Sequence, residues 1–163
     1  MSKIKYFILF AFIINVFGCG ASKRLDSNLP ISKEVSCIEG ISSKDYKYLA
    51  WGIGSDNDEA ETDALKAALY AAMVGGGAGE CTGLMSAEER SKSVEEVEKF
   101  FAFENQWRNY VRNSTTGRID SDKRRKLSDG SVKLGVEAVV DVLKLKEDLI
   151  KAGIIKDKLK WGD

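Results

Sequence analysis

The sequence predicts an α+β domain: two layers, a small antiparallel sheet covered by helices. Three observations predict it. Val132, Leu134, Val136, Ala138, Val140 and Val142 alternate without a break, opposite Lys133, Glu137 and Asp141. That is the period-two pattern of a strand with one face on a core. Asp129-Gly130, just before this run, is a strong hairpin signal. Ala60, Ala64, Ala67 and Ala71 recur at spacings of four, three and four, which places small side chains on one helical face.

At the N-terminus, Lys3 and Lys5 precede a run from Tyr6 to Phe17 whose only strongly polar member is Asn15. A basic start, a short apolar core and a small residue before the cut make a secretory leader. A helix of that length rises only about 18 Å, against about 30 Å for a bilayer core, so a permanent membrane span is not expected. Val16-Phe17-Gly18-Cys19 resembles the lipobox of bacterial lipoproteins. The resemblance implies cleavage after Gly18, lipidation of Cys19 with diacylglyceryl and palmitate-type chains, and a membrane anchor. Several acyl chains on one residue hold stably, each buried CH₂ contributing about 0.8 kcal/mol. Gly20, rather than Asp, at the second mature position points to the outer membrane, facing the periplasm.

Residues 1–18 therefore read as the leader, 19–36 as a polar tether containing the only proline, Pro30, and 37–163 as a single domain. The full chain has 25 basic and 25 acidic residues, and loss of Lys3 and Lys5 tips the mature balance to about −2. Nothing there marks a nucleic-acid partner. Histidine is absent, which removes the commonest general base and metal ligand. With Cys19 lipidated, Cys37 and Cys81 remain. They are either a disulfide in an oxidising compartment or two separate buried thiols.

Lys47 to Gly54 reads as a first strand ending in glycines. Asp56 and Asp58 offer caps for the alanine helix, which runs to about Val74, and Gly75 stops it. The glycine run 75–79 follows a helix instead of preceding one, so it is no phosphate loop. Gly52-Ile53-Gly54 lacks the third glycine of a dinucleotide site. Ser86 to Glu89 fits a capping box for a second helix, expected to end between Asn109 and Asn113. On that helix Phe100, Phe103, Trp107 and Tyr110 form an aromatic stripe, too broad for one buried face and a candidate partner contact. Arg124-Arg125-Lys126 reads as a solvated strand face. Lys144 to Gly153 closes the chain as a helix with Leu145 and Leu149 inward. The expected order is strand, helix, helix, strand, strand, helix.

Leu49 to Gly54, then Glu59-Ala60 and Asp63 to Leu69, resemble the N-terminal domain of the flagellar assembly protein T family and related small envelope lipoproteins. Thr116 to Asp120, Gly130 to Val142 and the closing helix continue the resemblance. It implies a non-catalytic domain that works in a cell-envelope assembly, such as a secretion or motility machine, in contact with other envelope proteins or further copies of itself. The runner-up is a periplasmic binding module for a lipid, glycan or peptidoglycan fragment. An enzyme is not expected. Asp56, Asp58, Glu59 and Glu61 cluster at a helix N-terminus, where acids collect for dipole reasons, and no motif places a catalytic pair or a calcium loop. No cofactor or metal is expected.

Overall fold

A computed structural model describes residues 28–40, 44–75, 78–79, 81–102, 106–115 and 121–156. It is an α+β domain. The strands are β1 (Val35–Gly40), β2 (Asp45–Gly54), β3 (Val111–Asn113), β4 (Arg124–Lys126) and β5 (Val132–Asp141). The helices are α1 (Asn57–Val74), α2 (Ala87–Lys92), α3 (Val94–Ala102) and α4 (Val142–Lys151). All strand pairings are antiparallel, in the order β1-β2-β5, with β3 and β4 sharing the far edge of β5.

The register of β2 on β5 sets the faces of the sheet. Tyr46, Tyr48, Ala50, Gly52 and Gly54 pair with Val140, Ala138, Val136, Leu134 and Val132, and these residues turn toward α1. The alanine stripe of α1 is buried against them: Ala60, Ala64, Ala68 and Ala72 have no exposed surface. The two layers touch at the backbone. A Cβ on Gly52 would overlap the Ala60 carbonyl oxygen and the Ala64 backbone, so only glycine lets α1 lie this close. The buried side chains of α1, α3 and α4, among them Met73, Phe101, Leu145 and Leu149, join one cluster with the α1-facing residues of the sheet.

Local signals set the ends of α1 and α4. Asp56 accepts the Glu59 N–H and Asp141 accepts the Lys144 N–H, both at 2.9 Å. Ser86 and Glu89 form the full capping box at α2. The Asp129-Gly130 turn closes the β4–β5 hairpin, with the Leu127 N–H donating to Ser131 O at 2.8 Å.

Three expectations need correction. The order has an extra strand on either side of the helices. β1 begins at Val35, inside the stretch 19–36 expected to be tether, and the residues before it are already held: the Ile31 and Ser32 N–H groups donate to Asp63, and the Trp51 N–H donates to Glu34 O. The helix expected from Ser86 to about Asn109 or Asn113 breaks at Ser93, whose N–H closes α2 on Glu89 O and whose carbonyl opens α3 by accepting from Val97 N–H. Serine competes well for such boundary positions and poorly for helix interiors. Beyond α3, Trp107–Asn109 form a 3₁₀ turn and Val111–Asn113 pair with β5.

Cys37 on β1 and Cys81 beyond α1 are joined in a disulfide, with Cα atoms 5.7 Å apart. It closes a loop of 44 residues around β2 and α1, for which chain entropy gives about 4 kcal/mol of stabilisation.

Two substitutions test this packing by chemical denaturation. Tyr48 is 1% exposed, and its hydroxyl has no hydrogen-bond partner among the described residues. Tyr48→Phe keeps the ring and removes the orphan, so it raises stability by about 1–2 kcal/mol. The Asp63 carboxylate accepts N–H bonds from Ile31 at 2.6 Å, Ser32 at 3.1 Å and Ile53 at 2.9 Å. Asp63→Ala strands all three donors and costs about 3–5 kcal/mol; Asp63→Asn, which can accept on one oxygen only, falls between.

Candidate functional site

The residues singled out from the sequence end up in different situations. Cys19 and Phe103 lie outside the described residues. Cys37 and Cys81 are bonded to one another. Among the described residues the expected aromatic stripe is not a continuous surface. Trp107 is 1% exposed, with the Arg108 guanidinium 4.6 Å and the Lys66 ammonium 5.7 Å from its ring centre. Phe100 is half-buried between Phe101 and Tyr110, both at 5.5 Å, and the Tyr110 hydroxyl donates to Asp148 at 3.0 Å. The physical reason is the break in the helix. Spacing at 100° per residue holds only along one continuous helix. Trp107 and Tyr110 lie outside α3, which ends at Ala102, and pack against the domain. Trp107 therefore has no free surface for the partner contact expected of it, and Phe100 and Tyr110 keep only part of theirs.

Two other features remain. The first is an open cleft of about 760 Å³ beside the N-terminus of α1, lined by Ile31, Ile53, Glu59, Thr62, Lys66 and Asp129 among others. Two of its acids, Glu59 and Asp63, serve the fold. Glu59 accepts from both the Ser55 N–H, at 2.9 Å, and the Ser55 hydroxyl, at 2.7 Å, and these bonds hold its carboxyl below the usual range. Asp63 binds three backbone N–H groups. Burial pushes its pKa up, while those three bonds and Lys66 pull the other way and the net direction is upward. Among the described residues no three metal-ligating side chains converge.

The second feature is the face of the sheet turned away from α1, which sequence reasoning passed over. Along β2 it carries Lys47, Leu49, Trp51 and Ile53, paired with Val139, Glu137, Gly135 and Lys133 of β5. Arg125 of β4 pairs with Lys133 and so stands on the same face, whereas Arg124 and Lys126 stand on the α1 side. The Trp51 ring rests against the β5 backbone: a Cβ on Gly135 would come within 3.3 Å of its Cη2 and Cζ2 atoms. Cations border the ring, with Lys133 Nζ at 5.2 Å and the Arg125 guanidinium at 5.8 Å from its centre. Beside it, Glu137 bridges Lys47 at 2.8 Å and Lys123 at 3.0 Å, and Lys133 also pairs with Glu34. The local signal was the alternation of Lys47, Leu49, Trp51 and Ile53 against the buried Tyr48, Ala50 and Gly52. Its meaning depends on which strand lies alongside.

The arrangement presents a partly exposed aromatic ring with cations beside it, three of the lysines paired to Glu34 or Glu137. It suits an anionic surface or an acidic ligand. No protein-family model, no curated protein and no solved structure matches this chain.

The Lys47–Glu137–Lys123 bridge gives the domain an acid-sensitive component. Hydrogen bonds from Lys47 and then Lys123 hold the Glu137 carboxyl below the usual glutamate range. A pKa lowered by folding adds stability above the unfolded-state value, and that stability is lost as pH falls through the folded-state value. Glu137→Gln therefore lowers stability at neutral pH, and the gap between variant and wild type closes on acidification. Denaturation midpoints measured from neutral pH to below the carboxylate range check this; a constant gap would contradict it.

Proposed function

We propose that the chain is a lipoprotein anchored through acylated Cys19, and that its domain serves without catalysis as a structural or assembly component of a cell-envelope complex. The single observation that carries this reading is the Cys37–Cys81 disulfide, in a chain whose residues 1–18 read as a secretory leader before Cys19. Structural disulfides persist in oxidising compartments outside the cytoplasm, where such a leader would deliver the protein. Support also comes from the carboxylates of the cleft, since Glu59 and Asp63 are engaged by backbone and hydroxyl donors of the fold itself. The resemblance to the flagellar assembly protein T family suggests the kind of complex, a motility or secretion machine in which other envelope proteins or further copies of this chain are the partners. The outer membrane, on its periplasmic side, is the proposed location.

The binding-module reading has an observation of its own in the Trp51 face, where an aromatic ring and four cations offer a surface for an acidic ligand or lipid.

The proposal is tested in cells. Wild-type protein incorporates labelled fatty acid and loses residues 1–18, whereas Cys19→Ser incorporates none and keeps its leader. Detergent extraction after cross-linking recovers the wild type in a complex much larger than one chain. Absence of label from the wild type would remove the lipoprotein reading; recovery as a free monomer would remove the assembly reading.

A further inference from the structure

The Trp51 face lies beside the point where the chain joins the domain. Residues 28–34 run along the end of β2, with the Trp51 N–H donating to Glu34 O at 2.9 Å and the Glu34 carboxylate paired with Lys133. Eight residues separate Cys19 from Asn28, a reach of at most about 30 Å even when fully extended. If Cys19 is held in a bilayer, the domain stays within about its own diameter of the headgroups.

Charge on this face is polarised along the strands. Around Trp51 stand Lys123, Arg125 and Lys133, offset by Glu34 and Glu137. At the far end Asp45 pairs with Asp141, and Glu39 of β1 lies opposite Lys47. The basic, aromatic end is thus the one nearest the incoming chain. Ile31, 64% exposed, and Ile53 add apolar surface there, both lining the neighbouring cleft. Tryptophan with nearby Lys and Arg is the composition that settles at headgroup level, the ring in the interface and the cations on acidic lipid.

We propose that the Trp51 face is a docking surface for an anionic phospholipid membrane, against which the anchored domain lies with its helices turned away. This rests on the lipoprotein reading for its geometry, yet its test does not need the lipid. Residues 19–163 carrying Cys19→Ser keep every described element and have no acyl chain. This protein is sedimented with vesicles of phosphatidylglycerol and phosphatidylethanolamine, and separately with vesicles of phosphatidylcholine alone. It binds the first and not the second, and binding falls as salt is raised.

Arg125 and Arg124 are neighbours on an exposed strand but stand on opposite faces of the sheet. Arg125→Glu weakens binding by roughly twenty-five-fold, at about fivefold for each unit of charge, and Arg125→Ser by about fivefold. Arg124→Glu makes the same change in net charge on the α1 side and leaves binding within about twofold. Circular dichroism confirms that each variant is folded, and Arg125→Ser stands in should the reversal disturb β4. Equal affinity for both vesicle types, or equal losses from Arg124→Glu and Arg125→Glu, would overturn the proposal. Failure of Cys19 to take up fatty acid would instead remove the anchor and leave this vesicle result standing.

Discussion

One carboxylate holds three parts of the chain together. Asp63, 7% exposed, sits on the buried side of α1 and accepts backbone N–H groups from Ile31, Ser32 and the end of β2 at Ile53. Those donors face away from any strand partner, and a buried amide without an acceptor costs as much as a lost hydrogen bond. By satisfying them, Asp63 supplies what a further strand would have supplied. It also fixes α1 at the height where Ala60 and Ala64 meet Gly52, and it seats the incoming chain beside Trp51. Helix position, sheet edge and the location of the outer face all depend on this contact. Burying a charge is costly, and the upward push on its pKa is the sign of that cost.

Elements whose signals are local were legible in the sequence. The alternation of β5, the alanine stripe and Asp56 cap of α1, the Asp129-Gly130 turn and the Ser86–Glu89 box all stand where their residues indicated. Elements held by distant partners were not. β1 has the polar residues Ser36 and Glu39 and no clean alternation; β2 and the bond to Cys81 make it a strand. Ser93 ended a helix that its flanking Val94, Val97 and Phe101 seemed to continue, because a boundary of one residue leaves little trace in periodicity. The aromatic stripe inferred from Phe100 to Tyr110 was lost at a second boundary, the end of α3 at Ala102. Asp63 did carry a signal, an acid within the spacing of the buried alanines, but its three acceptor roles belong to residues up to 32 positions away.

The candidate surface shows the same division. Lys47, Trp51, Lys133 and Arg125 come from three strands, and only the pairings of β2 and β4 with β5 bring them together. Gly135 reads in sequence as a weakness in a strand, whereas in the fold it is the space that the Trp51 ring fills. With α1, α3 and α4 feeding one core, the other side of the sheet is shaped less by that core than by its own ion pairs. Here that side is neither a hydrophobic face nor an evenly charged one, and its two ends differ in sign.

The disulfide has a mechanical consequence. Residues 38–80, which include β2 and α1, lie inside a covalent ring closed at Cys37 and Cys81. Tension applied at the N-terminal end of the chain travels along the backbone to Cys37 and crosses the sulfur bridge to Cys81. It then continues toward α2 without passing through the ring. Pulling can peel Leu29 to Ser36 from the edge of the sheet, but beyond that point the load bypasses the strand and helix at the centre of the domain. The part of the molecule most exposed to strain from a tether is thus a short edge, and β2 and α1 are wired out of the load path.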